Sequence, residues 1–242
     1  MGKHLELTPR LGQIAAWVRP GAHLADVGTD HAYLPVWLTL QGRVASAIAS
    51  DLRLGPLNRA RDTGRRYGVE ERITYRLGNG LAAVRPEECD TIVIAGMGGE
   101  NIAQILQRAP WTADGGHTLL LQPQSRAEAL RRFLAEHGFE ILEERPVLSL
   151  GRPYSVLLTA YTGRQEAGGI LFPYLGKLLQ SPLTDKAERT AALAYLGKQL
   201  RHLQNLEKGA RAGGEQEAQM EYCQAAEALR QLIREEFPNG SN

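Results

Sequence analysis

Short apolar runs alternate with longer amphipathic stretches along the first two thirds of the chain. The apolar runs are rich in β-branched residues and predict strands, whereas the stretches between them have apolar residues at helical spacing and predict helices. The predicted strands are residues 23–27, 44–50, 73–77, 91–95, 118–122, 139–148 and 154–160. The predicted helices between them are residues 33–41, 56–67, 99–107 and 126–137. This alternation indicates an α/β fold with a mostly parallel seven-stranded sheet covered on both faces.

Local sequence motifs predict the structure at both ends of this α/β part. Only a short loop with Gly151 and Pro153 separates the last two predicted strands, which predicts an antiparallel hairpin at a sheet edge. Near the start, Thr8 followed by Pro9 predicts a capped helix that runs to about Val18.

The pattern changes after Gly163, where no further strand is predicted. Residues 185–208 place alanine and leucine on one helical face, and residues 216–237 have a second apolar stripe. Glycines 209, 213 and 214 are expected to break the first helix. We therefore expect an antiparallel coiled-coil hairpin, and two domains that cover residues 1–165 and 166–242.

The composition is that of an ordinary globular protein. Of 242 residues, 43% are hydrophobic and 23% are charged, which excludes collagen-like, disordered and disulfide-scaffold classes. No apolar run approaches the ~20 residues that a membrane span needs, and the start lacks the apolar region of a secretory signal. Cys89 and Cys223 lie far apart and have no zinc-site spacing. We expect a cytoplasmic protein with no membrane contact and no metal.

Charge is unevenly distributed although the net charge is only +1. Residues 166–211 contain seven basic and four acidic side chains, whereas residues 212–242 contain two and six. Seven arginines also crowd into 53–76, at positions 53, 59, 61, 65, 66, 72 and 76. Such basic regions indicate contacts to a phosphate backbone, and a solvated helix face is the alternative for the arginines. For the helical hairpin, the alternative is stabilisation or dimerisation.

The candidate chemistry lies where the predicted parallel strands end, which is where open α/β sheets bind ligands. The first strand continues into Asp26, Gly28 and Asp30, and the second ends at Asp51, 23 residues after Gly28. An acidic residue at about this distance from a glycine turn binds a ribose diol.

The incomplete glycine pattern argues against a dinucleotide. In Gly-x-Gly-x-x-Gly, the second and third glycine positions are here Asp30 and Tyr33. A carboxylate at the helix N-terminus would repel a pyrophosphate. S-adenosylmethionine has no phosphate, has a cationic sulfonium and ammonium, and has a ribose diol, so Asp30 and Asp51 suit it. Asp30 could also be an ordinary helix N-cap.

Three further strand ends complete the predicted site. Asn79 and Gly80 follow the third strand, where the asparagine could accept a hydrogen bond from an adenine amino group. Three glycines within residues 96–99 follow the fourth strand and permit close approach of a substrate. Residues 122–124 end the fifth strand and either shape the acceptor pocket or only terminate the strand.

Together these segments resemble the bacterial tRNA (adenine-22) N1-methyltransferase family. The resemblance is carried by LADVGTDHAYLP, ASDLRLGPLNRA, RLGNGL, DTIVIAGMGGENIAQIL and LLLQPQSRAEALRRFL. It implies a class I, Rossmann-like methyltransferase domain with a helical coiled-coil extension. It also implies S-adenosylmethionine as methyl donor and N1 of a tRNA adenine as acceptor.

The resemblance and the distribution of charge together predict roles for residues. The predicted donor-binding residues are Asp26, Gly28, Asp30, His31, Asp51, Leu52, Asn79, Gly80 and Gly96. The predicted catalytic residues are Asp30, Tyr33 and Met97. The predicted RNA-binding residues are Arg53, Arg59, Arg65, Arg66, Lys198 and Arg201. One departure is Asn79, because related methyltransferases often have an acidic residue at the position that contacts adenine.

The chemistry of adenine N1 fits these residues. The loop after strand four lacks the Asp/Asn-Pro-Pro-aromatic motif that serves exocyclic amines. N1 already has a free lone pair at neutral pH, so transfer needs alignment and charge stabilisation more than a base. We expect Asp30 to stabilise the cationic product, and Tyr33 or His31 to stack on the extruded base. Packing of Tyr33 and a backbone contact of His31 are the alternatives. A monomer is expected.

The sequence is also compatible with two other functions. One is a methyltransferase for another nucleic acid or a small molecule. The other is a non-catalytic RNA-binding protein, against which the intact Asp30, Asp51 and Asn79 argue.

Overall fold

A seven-stranded sheet forms the centre of the computed structural model, which describes residues 4–166 and 168–238. The strands are β1 (Ala22–Val27), β2 (Val44–Asp51), β3 (Ile73–Leu77), β4 (Thr91–Gly98), β5 (Thr118–Ser125), β6 (Phe139–Ser149) and β7 (Arg152–Tyr161). Their order is β3-β2-β1-β4-β5-β7-β6, and β7 is antiparallel to both of its neighbours. The α/β fold, the seven predicted strands and the edge hairpin are confirmed. Strands β2, β4 and β5 extend further at their carboxyl ends than predicted.

Helices cover both faces of the sheet. They are α1 (Pro9–Trp17), α2 (Tyr33–Leu40), α3 (Leu54–Tyr67), α4 (Gly99–Gln107) and α5 (Ala127–Glu136). One buried cluster joins α1, α2 and α3 to the sheet through residues such as Ile14 and Leu34. The other joins α4 and α5 to the opposite face through residues such as Ile102 and Leu130. The near-continuous apolar strands follow from this two-sided burial.

The chain order reverses at β1, which lies between β2 and β4. The crossovers that leave β1 and β4 therefore pass to opposite sides of the sheet, and a crevice opens beyond their carboxyl ends. The ends of β1, β2, β3 and β4 all border this crevice, so the topology gathers the predicted donor-binding segments there.

The start of α1 differs from its prediction in one respect. Pro9 occupies the first turn as expected, but Thr8 makes no side-chain capping hydrogen bond. Its hydroxyl is buried and has no hydrogen-bond partner within the described residues. Proline at the first turn therefore sets the helix start, since its fixed φ suits that position.

Two long helices follow the sheet after a short helix, α6 (Phe172–Leu175). They are α7 (Lys186–Gly213) and α8 (Gln216–Glu236). The guanidinium of Arg189 at the start of α7 donates to the carbonyl of Glu236 at the end of α8, so the helices are antiparallel. Leucines from both helices, among them Leu196, Leu203 and Leu229, form a separate apolar cluster. The predicted helical hairpin is confirmed.

The predicted glycine cluster does end α7, but at Gly213 and Gly214 and not at Gly209. The helix continues to Gly213 and ends where Gly214 adopts a left-handed conformation with φ 75°. A single glycine within a helix costs only about 1 kcal/mol relative to alanine, which the packing of the hairpin outweighs. At the other end, the carboxylate of Asp185 accepts from the backbone N–H of Glu188, so the predicted start is capped.

A buried ion pair connects the hairpin to the sheet. Arg131 on α5 and Glu144 on β6 are both fully buried, with 2.5 Å between the guanidinium and a carboxylate oxygen. Arg131 also donates to the hydroxyl of Tyr195 on α7 at 2.8 Å and to the carbonyls of Pro173 and Tyr174. One side chain therefore joins α5, β6, the α6 segment and α7.

Within residues 4–166 and 168–238, no helix is long and apolar enough to cross a membrane. The same residues include no group of three or more His, Cys, Asp or Glu side chains arranged to hold a metal ion.

Candidate active site

The loop between β1 and α2 has an unusual backbone. Gly28, Asp30 and Ala32 all have positive φ, at 77°, 43° and 52°. Left-handed conformations cost energy for residues other than glycine and are concentrated at functional sites. The loop is held in place because the N–H groups of Gly28 and Thr29 both donate to the carbonyl of Ser50 on β2. The interpretation of Asp30 as a helix N-cap is wrong, since Ala32 is the N-cap of α2.

A first cavity of about 520 Å³ lies outside the ends of β1, β2 and β3. We call it the donor cavity. Its lining includes Gly28, Asp51, Leu52, Asn79 and Gly80, which were all predicted to bind the donor. The structure thus brings these residues together from three separate strand ends.

Asp51 is buried in the donor cavity. One of its carboxylate oxygens accepts the backbone N–H of Arg53 at 2.8 Å, which fixes the side chain. Leu52, by contrast, is 61% exposed at the cavity mouth. The opposite wall comes from α4 through Asn101, Gln104, Ile105 and Arg108, which sequence reasoning missed. Their position depends on how α4 packs, so no local motif could have shown it.

A second cavity of about 230 Å³ lies between β1, the end of β4 and the start of α2. We call it the acceptor cavity. It contains predicted residues together with several that were not predicted. Its lining includes Arg10, Asp26, Gly28, Thr29, Asp30, His31, Tyr33, Gly96 and Gln124.

Met97 lies at the boundary between the two cavities. Its side chain lines the donor cavity and passes over Gly28, where an added Cβ would lie 2.0 Å from the Met97 Cε. Gly28 lines both cavities. Its missing side chain and positive φ are therefore both required for the site. Any residue larger than glycine would displace the methionine.

Asp26 is the most strongly perturbed acid of the acceptor cavity. Burial raises its pKa to about 6, although the hydroxyl of Thr29 and the nearby Arg10 favour the ionised form. The Thr29 hydroxyl donates to the Asp26 carboxylate at 2.5 Å. A buried carboxylate with a raised pKa is best stabilised by a cationic ligand group.

Two aromatic rings border the acceptor cavity. The rings of His31 and Tyr33 stack on each other with 5.2 Å between centroids and 6° between planes. Tyr33 remains 43% exposed, so the stack is accessible. Asp30 forms an ion pair with Arg59, and its other oxygen lies 3.7 Å from His31 Nε2. The predicted catalytic Asp30 and Tyr33 therefore lie together, and Met97 lies on the donor side.

The predicted RNA-binding residues fall into two groups. Arg53 lines the donor cavity and Arg59 pairs with Asp30, so both lie beside the site. Arg65 pairs with Asp62 and Glu70, and Arg66 is exposed on the same helix. The basic face of α3 is therefore partly neutralised by acidic neighbours.

The second group lies on α7. The Lys198 ammonium donates to the carbonyl of Pro153 at 3.3 Å and lies over the Tyr154 ring, while Arg201 is exposed. Lys198 also lines a third cavity, of about 210 Å³, together with Gln124. Because Gln124 also lines the acceptor cavity, a continuous surface runs from α7 to that cavity.

Arg10 is the main residue that sequence reasoning missed. It is the only charged residue of α1, and its guanidinium donates to the side-chain carbonyl of Gln122 at 3.2 Å. Gln122 is completely buried and donates in turn to the carbonyl of Pro123. The sequence signal for Arg10 is that it is the single charged residue of an otherwise uncharged helix. The sequence could not predict that Arg10 lies beside β4 and β5, because only the folding of the chain brings α1 to these strands.

The residues present fit S-adenosylmethionine. Asp51 has a carboxylate oxygen available for a ribose diol, and Asn79 and Gly80 adjoin the apolar Ile105 where an adenine could lie. Asp26 and Asp30 suit a ligand with positive groups. No phosphate-binding glycine turn is present at the start of α2, where Asp30 and Tyr33 stand instead.

Comparison with known proteins supports this assignment. The methyltransferase domain family matches residues 7–157. The tRNA (adenine(22)-N(1))-methyltransferase of Bacillus subtilis is 30% identical over 237 residues, which cover 98% of this chain and 99% of the relative.

Solved structures agree. The crystal structure of the B. subtilis m1A22 tRNA methyltransferase TrmK is 29% identical, covers 95% of this chain and 100% of that one, and has a TM-score of 0.78. Sp1610 of Streptococcus pneumoniae, solved in complex with S-adenosyl-L-methionine, is 32% identical, covers 93% and 99%, and has a TM-score of 0.77. Fold, cavities and full-length similarity agree, and the chain belongs to the tRNA (adenine(22)-N1)-methyltransferase family.

Proposed function

We propose that this protein transfers a methyl group from S-adenosylmethionine to N1 of adenine 22 in tRNA. The observation that carries the proposal is the pair of adjoining cavities at the ends of β1 and β4. It is supported by similarity over nearly the whole chain to a tRNA (adenine(22)-N1)-methyltransferase.

The donor cavity holds the adenosine part of the donor. Asp51 accepts hydrogen bonds from the ribose hydroxyls, while Asn79 and Gly80 contact the adenine edge. Gly28 and Met97 lie where the donor passes towards the acceptor cavity, near Gly96 and Asp26. When bound, S-adenosylmethionine supplies an electrophilic methyl group.

The target adenine lies at the mouth of the acceptor cavity, against His31 and Tyr33, while the methionyl end of the donor enters the same cavity beside Asp26. N1 attacks with its own lone pair, so no residue has to remove a proton before the transfer. The product base is cationic, and the carboxylate of Asp30 in the cavity wall stabilises that charge. The stacked rings of His31 and Tyr33 offer a flat surface to an extruded base.

Basic residues on both sides of the cavity hold the tRNA. Arg53, Arg59, Arg65 and Arg66 lie on or next to α3, and Lys198 and Arg201 lie on α7. Residues 166–242 form the tRNA-binding domain beside a methyltransferase domain of residues 1–165. The enzyme works as a monomer in the cytoplasm, where its substrate is found.

The reaction product tests this proposal. The purified protein is incubated with methyl-labelled S-adenosylmethionine and unmodified tRNA transcript, and the RNA is digested to nucleosides. We expect the label in 1-methyladenosine. Label in a different nucleoside, or none at all, would contradict the proposal and favour another acceptor or a non-catalytic protein.

The variant Asp51→Ala tests the ribose contact in the donor cavity. We expect it to weaken S-adenosylhomocysteine binding in calorimetry roughly tenfold or more, because a charged hydrogen bond to the ribose is lost. Asp62→Ala removes an exposed carboxylate on α3 and should leave that affinity unchanged. Equal affinity of the Asp51→Ala variant and the wild type would refute the ribose contact.

A further inference from the structure

Arg10 is a cation in the acceptor cavity for which methylation of the adenine itself provides no role. The methylated base is itself cationic, so a guanidinium close to it would oppose the transfer. Yet Arg10 lines this cavity, and among the residues that line it no other is an arginine or a lysine. Its Nη1 atom lies 3.7 Å from the position of an ideal Cβ on Gly96.

The guanidinium is held in place from one side. Gln122 is completely buried, and its amide donates to the carbonyl of Pro123 at 3.0 Å, which turns its side-chain oxygen towards Arg10. Within the described residues this is the hydrogen bond that Arg10 makes. A guanidinium has five N–H donors, so most of them remain available to a ligand in the cavity.

The charges of the cavity match the methionyl end of the donor. That end has an ammonium group and a carboxylate, and the sulfonium lies three bonds from the carbon that bears both of them. The buried Asp26 is the anionic partner for the positive groups. Arg10 is the cationic partner for the carboxylate, with a planar fork that suits a two-oxygen acceptor.

We propose that Arg10, oriented by the buried Gln122, binds the carboxylate of the methionyl end of the methyl donor. This inference rests on the proposed donor but not on the identity of the acceptor. A contact with an RNA phosphate is the competing role of Arg10. Binding of phosphate-free analogues of the donor in the absence of tRNA distinguishes this role from the carboxylate contact.

The test compares two ligands that differ only in that carboxylate. They are S-adenosylhomocysteine and its decarboxylated counterpart, S-adenosyl-3-thiopropylamine, and binding to the full-length protein is measured by calorimetry without tRNA. Arg10→Met should weaken S-adenosylhomocysteine binding roughly ten- to a hundredfold, as expected for lost charge-assisted hydrogen bonds. Binding of the decarboxylated ligand should stay within about twofold of that of the wild type.

Two further variants serve as controls, one for the shape of the guanidinium and one for the loss of an arginine elsewhere. Arg10→Lys keeps the charge but loses the fork, so we expect an intermediate loss for S-adenosylhomocysteine alone. Arg19→Met removes an exposed arginine just after α1 and should change neither affinity. Thermal unfolding of each variant checks that the fold is retained.

Failure of the carboxylate assignment can be distinguished from failure of the proposed donor. If Arg10→Met weakens both ligands equally, or neither of them, the carboxylate assignment is overturned while the proposed function stands. If the wild-type protein binds neither ligand, the proposed donor is refuted, and this assignment fails with it.

Discussion

Asp26 makes both the folding stability and the ligand affinity of the acceptor cavity depend on pH. Its pKa is raised to about 6 by burial, so the folded protein keeps a proton on Asp26 between about pH 4 and 6 that the unfolded chain loses. Its contribution to stability is therefore largest in acid and is lost as the pH rises to about 6. At neutral pH the buried carboxylate is ionised, which disfavours folding but favours a cationic ligand.

Asp26→Asn should therefore have opposite effects on stability and on binding. We expect the free energy of unfolding at pH 7 to rise by about 1–2 kcal/mol, because a buried charge is removed while the Thr29 hydrogen bond can be kept. S-adenosylhomocysteine affinity should fall severalfold at pH 7.5.

Calorimetry across pH separates the charge from the shape of the side chain. Wild-type affinity should weaken as the pH falls from 7.5 to 5.5, whereas the Asp26→Asn affinity should change less over that range. Parallel pH profiles for the two proteins would show that ionised Asp26 does not contribute to binding. Thr63→Ala, a buried change on α3, serves as a control for altered packing.

At the scale of elements, Arg131 determines how the helical hairpin is attached to the sheet. Replacing it with methionine would leave the carboxylate of Glu144 buried without its partner. Breaking such a pair typically costs about 3–5 kcal/mol. We expect urea denaturation of Arg131→Met to show a loss of this size, and the exposed Arg132→Met to lose less than 1 kcal/mol.

A double variant distinguishes the loss of the pair from the loss of packing. Arg131→Met combined with Glu144→Leu removes both charges and should recover part of the stability. A single variant as stable as the wild type would mean that Arg131 does not connect α5 to α7.

The elements were predictable from the sequence because their signals are local. Apolar periodicity located all seven strands, and Asp185 marked the start of α7. The glycine cluster located the end of α7 only to within a few residues, because a single glycine such as Gly209 costs a helix only about 1 kcal/mol. Arg10 and the α4 wall of the donor cavity lie far from the glycine loop in sequence, so only packing brings them to it.

The conformation of the β1–α2 loop illustrates the same limit. The sequence located Asp30 in the site, and its carboxylate does line the acceptor cavity. Its left-handed backbone and its ion pair with Arg59 depend on the fixed position of α3 against β2. Roles that involve contacts between elements were therefore the least predictable.

At the scale of the whole molecule, the charge is divided between the two arms of the hairpin. The α7 arm presents Lys198 and Arg201, whereas residues 212–242 contain six acidic and two basic side chains. For Lys198→Gln combined with Arg201→Gln, we expect weaker tRNA binding and a smaller salt dependence, by about one unit of slope per lost phosphate contact. Filter binding at several salt concentrations measures both.

The acidic arm supplies the control. Arg230→Gln combined with Arg234→Gln removes the same charge from α8, where both arginines pair with Glu227. This variant should keep the wild-type salt slope. Equal slopes for both double variants and the wild type would place the tRNA elsewhere on the molecule.

The central claim concerns a single atom, N1 of adenine 22, and can be tested at that atom. Two tRNA transcripts are compared, one with 1-deazaadenine at position 22 and one with 7-deazaadenine, which keeps N1. With labelled S-adenosylmethionine, we predict transfer to the 7-deazaadenine transcript and none to the other. Equal labelling of both transcripts would contradict N1 of adenine 22 as the acceptor.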